Sequence, residues 1–312
     1  MRDRELLAAA GADFALTVVD AGGAGGLHPR WRAFRPIVAG VLFDPREEAS
    51  GSTKIERGRD AVLRAALGAA DGAGTLHITR MGNMSSLLPP NAALLARFGK
   101  KPAHAEVIAR ESLRVRPLDD VAREFGFAAD VVKADTQGAE LEVLKGAAET
   151  LERSALFVEA EVSFLERYSG QPVFRDIEGF LASFGFELID FHRLKRYRSA
   201  NRSGIGNLGL GLGRRAGRIA YGDAFFLLKE DEAARRIERL DPAARARFTL
   251  KSLIILAVYG KADLAARWFD VFGAHLDDAR KSAAARYLKR LGSRRLTTGH
   301  LHHVADYAAR HV

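Results

Sequence analysis

Val131-Val-Lys-Ala-Asp-Thr-Gln-Gly-Ala-Glu-Leu-Glu-Val-Leu-Lys-Gly146 is the stretch that decides the fold of this chain. Its first residues predict a short buried strand that ends in an acid, Asp135. A turn then leads directly into a single amphipathic helix with apolar residues at three- and four-residue steps. Those residues are Leu141, Leu144, Ala148 and Leu151. Ligands of open α/β sheets bind beyond the carboxyl ends of the strands, so we expect Asp135 to face a ligand.

Other apolar segments predict the rest of the sheet. They are Phe14–Asp20, Ile37–Asp44, Ala61–Leu67, Ala155–Glu161, Phe186–Phe191 and Asp223–Leu228. The last two have no helix between them, which predicts an antiparallel pair. Thr75–Thr79 and Ala105–Ala109 predict short extra strands that flank a loop, Met81–Asn91. The pattern indicates an α/β fold with a Rossmann-like, mostly parallel sheet of about seven strands and a terminal antiparallel hairpin.

Beyond Lys229 the sequence is typical of helices. Asp241-Pro242 predicts an N-cap followed by proline at the first helical position. We therefore expect two domains, an α/β domain over residues 1–229 and a helical C-terminal extension over residues 230–312.

The composition is that of a globular protein. The chain has 312 residues, 47% of them hydrophobic, no cysteine and a net charge of +9. Without cysteine it has neither disulfides nor thiolate metal sites, which fits a reducing cytoplasm. The longest apolar run, Leu253–Tyr259, is far short of the roughly 20 residues of a membrane span. The charge suits an anionic ligand or surface, or reflects an arginine-rich composition.

A glycine-rich run, Gly22–Gly26, follows the acid Asp20 at the end of the first strand. Glycine lets the backbone approach a ligand closely. The run is not a dinucleotide fingerprint, because His28 occupies the place of the third glycine. Asp44 ends the second strand, where an acid accepts hydrogen bonds from ribose hydroxyls or caps a helix. Three strand-end acids would repel a diphosphate and suit a cationic, phosphate-free adenosine compound such as S-adenosylmethionine.

A set of short motifs then occurs in a characteristic order. It comprises Val18–Gly26, Leu42–Pro45, Ser85–Pro89, Pro117–Asp120, Val132–Glu140, Glu159–Phe164 and Gly222–Phe226. Together they resemble the FkbM family of S-adenosylmethionine-dependent methyltransferases, over about residues 14–229. The resemblance implies a class I methyltransferase sheet with S-adenosylmethionine as cofactor. The chain departs from the family at Asp20-Ala-Gly22, at Asp44-Pro45 and at Gln137, where glutamate is frequent.

The resemblance also implies methyl transfer, most often to a hydroxyl of a sugar, polyketide or lipid-linked acceptor. An alcohol needs a base to take its proton. We expect the cofactor to contact Asp20, Gly22, Gly25, Asp44, Ala66, Leu67 and Asp135. The candidates for catalysis are Asp135, Glu140, Glu161 and His192, and His28 also lies near a strand end.

Other functions stay open at this point. One is a non-catalytic, methyltransferase-like protein that binds an anionic glycan or nucleic acid; another is an NAD-dependent oxidoreductase. Nucleic acid is not the expected partner, because basic and aromatic residues do not interleave. We predict no metal ligands, since His300, His302, His303 and His311 lack a ligand spacing. The basic segment Arg193–Arg218 suits either acceptor phosphates or solvent, and a homo-oligomer stays open.

Overall fold

The computed structural model describes residues 4–23, 25–45, 54–98, 102–203 and 217–292. The histidines at 300, 302, 303 and 311 and residues 204–216 of the basic segment lie outside these ranges. The chain forms two compact units. One is Ala15–Arg236, and the other combines Met1–Phe14 with Ile237–Val312. The division at residues 229 and 230 stays a prediction about domains.

Within the described residues, ten strands form two sheets. They are β1 (Leu16–Ala21), β2 (Val38–Phe43), β3 (Asp60–Leu63), β4 (Ala66–Leu67), β5 (Gly72–Thr79), β6 (Val107–Arg116), β7 (Val131–Ala134), β8 (Phe157–Ser163), β9 (Phe186–Tyr197) and β10 (Arg218–Leu228). The larger sheet has seven strands in the order β3-β2-β1-β7-β8-β10-β9, and the smaller has the order β4-β6-β5.

The large sheet confirms the predicted fold class. Its first five strands are parallel, while β10 is antiparallel to both β8 and β9. Every residue of β1, β2 and β8 is buried, as expected of a parallel sheet covered on both faces. Because β1, β2, β7 and β8 run the same way, their carboxyl ends lie along one edge of the sheet.

The predicted strand Ala61–Leu67 is wrong as a single element. Residues up to Leu63 pair with β2 as β3, whereas Ala66 and Leu67 pair with β6 in the smaller sheet. The chain leaves the large sheet through a tight turn in which the Ala65 amide donates to the Leu63 carbonyl (2.9 Å). This turn places Ala66 and Leu67 beside the carboxyl ends of the large sheet.

The described residues contain ten α-helices. They are α1 (Arg4–Ala10), α2 (Ala92–Arg97), α3 (Leu118–Phe125), α4 (Glu140–Lys145), α5 (Ala148–Arg153), α6 (Phe174–Ser183), α7 (Glu230–Glu238), α8 (Pro242–Val258), α9 (Ala262–Phe272) and α10 (Asp278–Gly292). None of these helices is long and apolar enough to cross a membrane.

The single helix predicted after Asp135 is also wrong, because it is two helices, α4 and α5. The backbone of Gly146 lies so close to that of Gly68 that a Cβ would collide with its carbonyl oxygen. The Asp119 carboxylate then accepts hydrogen bonds from the amides of Glu149 (2.7 Å) and Thr150 (2.9 Å). This capping starts α5 as a separate helix.

The smaller unit contains α1 and α8 to α10. The predicted N-cap of α8 is confirmed, since the Asp241 carboxylate accepts a hydrogen bond from the Ala244 amide at 2.7 Å. Within this unit, Glu5 of α1 pairs with Arg286 (3.2 Å) and Arg290 (2.6 Å) of α10.

Candidate functional site

A pocket of ≈ 240 Å³ opens at the carboxyl ends of β1, β2 and β7. Asp44 and Asp135 both line it, directly beyond β2 and β7. The smaller sheet and the loop between its strands β5 and β6 close the other side. The remaining lining residues are Ala21, Gly22, Phe43, Pro45, Ala65, Ala66, Leu67, Leu76, Gly82, Asn83, Ser85, Ser86, Leu87, Thr136 and Gln137.

The turn after β1 brings the backbone of Gly22 against that of Asp135. Gly22 has φ +89°, and a Cβ there would collide with the Asp135 carbonyl oxygen. The Gly22 amide donates to Phe43 (2.8 Å), and the Asp135 amide donates to Ala21 (2.9 Å). These contacts need glycine at position 22 and hold the three strand ends together.

One side of the pocket is apolar and the other is acidic. Ala66 and Leu67 are buried at the apolar side, as is Leu76 of β5. Asp44 is 3% exposed, whereas the side chain of Asp135 is 33% exposed. None of the described residues that line the pocket carries a positive charge. The described lining therefore offers two carboxylates and an apolar wall.

Asp20 does not line this pocket. Its carboxylate is buried and bonds the Lys133 ammonium on the neighbouring strand at 2.7 Å. Burial raises the pKa of Asp20, although Lys133 opposes the shift. Gly25 has φ +87° and also lies outside the pocket lining. A direct contact of either residue with a cofactor stays a prediction.

Glu140 organises the turn that follows β7. Its carboxylate is buried and accepts hydrogen bonds from the amides of Thr136 (2.9 Å) and Gly138 (2.9 and 3.0 Å). Burial raises the pKa of Glu140, and the nearby Glu161 adds to this effect. The hydrogen bonds fix a turn in which Gln137, with φ 58°, adopts the left-handed conformation.

Glu161 and Arg167 form a buried ion pair beside this turn. Their side chains are 7% and 5% exposed and their charged atoms lie 2.7 Å apart. The Gln137 side chain links the pair to the first pocket, because its Nε2 donates to Asp135 at 2.9 Å and its Oε1 accepts from Arg167 at 3.3 Å. The Tyr168 hydroxyl also donates to Oε1 (3.2 Å). The amide therefore joins the carboxylates into one network.

His192 is placed differently from the other catalytic candidates. It lies on β9 opposite Asp223 of β10, is exposed, and stacks on the Phe225 ring with 5.9 Å between centroids. It lines neither the first pocket nor the one that contains Glu161. His28 caps a short 3-10 helix by accepting from the Arg30 amide (3.1 Å).

Asp135, Glu140 and Glu161 each bring one oxygen to within 4.8 Å of the others. This is a spacing that a metal ion can bridge. Amide donors and the Arg167 guanidinium already occupy Glu140 and Glu161. Asp135 likewise accepts a hydrogen bond from the Gln137 side chain (2.9 Å), so each of the three carboxylates has a donor within the protein.

Sequence reasoning missed Arg167, Tyr168 and Lys133. Each is a cation or a phenol next to an acid that the sequence did identify. Alternation along β7 puts Lys133 and Asp135 on one face, which could have indicated the pairing of Lys133 with Asp20. Arg167 and Tyr168 follow β8 in a loop, where sequence periodicity gives no signal of direction.

The fold and the pocket define a class of protein. A seven-stranded sheet with a terminal antiparallel hairpin, and an acid-lined pocket at its carboxyl edge, are those of class I methyltransferases. The model of the methyltransferase FkbM domain matches residues 31–188, about half of the chain. The chain belongs to this family.

Two further comparisons add little. No curated protein sequence matches the chain significantly. The crystal structure of the 16S rRNA (adenine(1408)-N(1))-methyltransferase from Catenulisporales acidiphilia is 16% identical over 74% of this chain and 94% of that chain. Its TM-score of 0.26 is too low to bear on fold or function.

Proposed function

We propose that the protein is an S-adenosylmethionine-dependent methyltransferase that methylates a hydroxyl oxygen. The carrying observation is the pocket at the ends of β1, β2 and β7, which has two carboxylates, an apolar side and no cation among its described lining residues. A cationic adenosine compound without phosphates matches these features. The carboxylates of Asp44 and Asp135 would repel the diphosphate of NAD, which disfavours that cofactor.

The residues of the pocket fit this cofactor. Asp44, Ala66 and Leu67 line the pocket. In this proposal Asp44 would accept hydrogen bonds from ribose hydroxyls, and Ala66 and Leu67 would contact adenine. Gly22 and Asp135 would face the methionine part. S-adenosylmethionine supplies an electrophilic methyl group, which an acceptor oxygen takes while losing its proton, leaving a neutral thioether.

We assign Glu161 as the general base that takes the proton of the acceptor hydroxyl. Its carboxyl is linked through Gln137 to Asp135, which lines the cofactor pocket. Burial raises the pKa of Glu161 and Arg167 opposes the shift, so the group suits a base that works near neutral pH. Glu140 shapes the turn, since backbone amides occupy its carboxylate. His192 is the weakest candidate because it lines neither pocket.

We expect the enzyme to work in the cytoplasm, because the chain has no cysteine and suits a reducing compartment. Its partner is then the acceptor molecule rather than nucleic acid. The alternative is a protein of this fold that binds an anionic glycan or nucleic acid without catalysis.

Isothermal calorimetry with S-adenosylmethionine and S-adenosylhomocysteine tests the proposal. Asp44→Ala should weaken both affinities about 10- to 100-fold, because a charge-assisted hydrogen bond contributes roughly 1.5–3 kcal/mol. Asp71→Ala is the control, since Asp71 is an acid paired with Arg114 outside the pocket. Failure of the folded wild type to bind either compound would overturn the proposal, as would preferential binding of NAD.

A further inference from the structure

Gln137 lies on the border between two pockets. A second pocket of ≈ 500 Å³, which Glu161 and Arg167 line, adjoins the first. Asp135 and Gln137 line both of them. The Gln137 side chain is therefore next to the carboxylate that would face the methionine part of the cofactor.

The partners of the Gln137 amide determine which of its two ends faces which group. Nε2 donates to Asp135 at 2.9 Å and to Glu161 at 3.5 Å. Oε1 accepts from the Arg167 guanidinium at 3.3 Å and from the Tyr168 hydroxyl at 3.2 Å. A guanidinium has no acceptor, and an ionised carboxylate has no donor. The amide consequently has one orientation, with its nitrogen toward the acids and its oxygen toward the cation.

The backbone at Gln137 is in a conformation that glycine would adopt with less strain. Its φ of 58° is left-handed, and side chains other than those of asparagine and aspartate are uncommon there. The Glu140 carboxylate holds the turn by accepting from the amides of Thr136 and Gly138. A glutamine kept in so strained a position indicates that the contacts of its side chain have a function.

The groups around the amide include more acids than cations. The acids are Asp135, Glu140 of α4, Glu161 of β8 and Asp223 of β10, and the cations are Lys133 of β7 and Arg167 of the loop after β8. The other titratable groups nearby are Tyr168, Tyr197, Tyr221 and His104. A further negative charge at position 137 would therefore be repelled.

A carboxylate at position 137 would also fail to make the bond to Asp135. One of its oxygens would take the place of Nε2, 2.9 Å from an oxygen of Asp135. Two carboxylates at that distance do not both stay ionised near neutral pH, so one of them must keep a proton. The amide donates a hydrogen bond to Asp135 without this requirement.

We propose that Gln137 is a positioning residue that holds the Asp135 carboxylate at the border of the first pocket, and that this role requires a neutral side chain which both donates and accepts. The nitrogen fixes Asp135, and the oxygen anchors the amide to Arg167. The inference rests on the proposed function and deepens it, because it states what keeps Asp135 in place to meet the cofactor.

Gln137→Glu tests the requirement for a neutral side chain without changing its shape. A protonated carboxyl copies the amide, whereas an ionised one repels Asp135. Because the surrounding acids raise the pKa of the new carboxyl, its contribution to stability is present at low pH and lost as pH rises through the folded-state pKa. The urea midpoint of the variant should match that of the wild type at pH 5.5 and lie roughly 0.5–1 M below it at pH 8.5.

Asn91→Asp is the matched control, since it also exchanges an amide for a carboxylate. The Asn91 side chain caps α2 by accepting from the Leu94 amide at 3.0 Å, and it lines neither pocket. An aspartate caps a helix as well as an asparagine does. The difference in urea midpoint between this variant and the wild type should therefore not change between pH 5.5 and pH 8.5.

Calorimetry with S-adenosylhomocysteine tests the effect on the cofactor pocket. The methionine part of this probe carries one ammonium and one carboxylate, so an added charge on the protein gives little net attraction. Gln137→Met has a side chain of similar length without the amide and should weaken binding about tenfold at every pH. Gln137→Glu should bind like the wild type at pH 5.5 and about tenfold more weakly at pH 8.5.

Three results would overturn the inference. They are a gap in stability between Gln137→Glu and the wild type that does not change with pH, the same pH dependence in Asn91→Asp, and wild-type affinity for S-adenosylhomocysteine in Gln137→Met. Each of them leaves the proposed function intact. Failure of the folded wild type to bind S-adenosylhomocysteine would instead refute the proposed function, and this inference with it.

Discussion

Replacing Arg167 by methionine should leave the Glu161 carboxyl buried without its counter-charge. The two side chains are 5% and 7% exposed and 2.7 Å apart, so the pair is screened little by solvent. Unit charges about 4 Å apart attract by about 4 kcal/mol at an effective dielectric constant of 20. Breaking one partner of a buried pair costs roughly 3–5 kcal/mol. For a folding unit of this size we expect the melting temperature to fall by roughly 6–20 °C.

The loss of stability in the Arg167→Met variant should depend on pH. Burial raises the pKa of the Glu161 carboxyl, and without Arg167 the pKa rises further. A carboxyl with a raised folded-state pKa adds stability below its unfolded pKa, and this stability is lost as pH rises through the folded pKa. The Arg167→Met variant should therefore be less destabilised at pH 5 than at pH 8.

Urea unfolding, monitored by circular dichroism at pH 5 and pH 8, measures the loss of stability and its dependence on pH. Arg153→Met provides the control, since Arg153 pairs with Glu149 on the surface and its side chain is 73% exposed; it should cost at most about 1 kcal/mol. The double variant Glu161→Gln/Arg167→Met should recover most of the lost stability, because neither position of the pair then carries a charge. A cost below 1 kcal/mol for Arg167→Met, or no recovery in the double variant, would refute this reasoning.

Three further predictions concern residues of the large sheet and of the turn after β1. Gly22→Ala should destabilise the fold by more than about 2 kcal/mol and abolish cofactor binding, because the new Cβ would collide with the Asp135 backbone. Gly25 is also at positive φ but has open space where a Cβ would lie, so Gly25→Ala should cost only about 1 kcal/mol. Urea unfolding and calorimetry compare the stability and the cofactor affinity of the two variants. Burial raises the pKa of Asp223 to about 6, so its stabilisation is present below its unfolded pKa and lost as pH rises through 6. Asp223→Asn should therefore raise stability at pH 8 by about 1–2 kcal/mol and flatten the acidic pH dependence, and unchanged melting curves across pH 4–8 would contradict this. Lys133→Met should raise the pKa of Asp20 further and destabilise the fold by roughly 3–5 kcal/mol at pH 7, and by less at pH 5. Urea unfolding at the two pH values measures this destabilisation. An equal loss of stability at pH 5 and pH 7 would count against the ion pair.

The sheet could be predicted from the sequence because parallel strands are buried on both faces. Such strands appear as continuous apolar runs, and those of β1, β2 and β8 were recognised within two residues at each end. The predictions were wrong where contacts between residues far apart in sequence determine where an element ends. The break between α4 and α5 depends on the close approach of Gly146 to Gly68, two residues far apart in sequence.

The site was predictable in part for the same reason. Acids that end apolar strands stand out, so Asp44, Asp135 and Glu161 were identified and do line the two pockets. Partners that meet those acids from loops or neighbouring strands give no such signal. Arg167 lies in a loop after β8, and sequence alone does not tell that its guanidinium turns back onto Glu161.

A crystal structure of the protein with S-adenosylhomocysteine would show whether the pocket beyond β1, β2 and β7 holds the cofactor. We expect density in this ≈ 240 Å³ pocket, with the ribose at Asp44, adenine against Leu67, and the sulfur directed toward Asp135 and Gln137. Density for the compound in the Glu161 pocket instead, or an empty first pocket at saturating ligand, would contradict it.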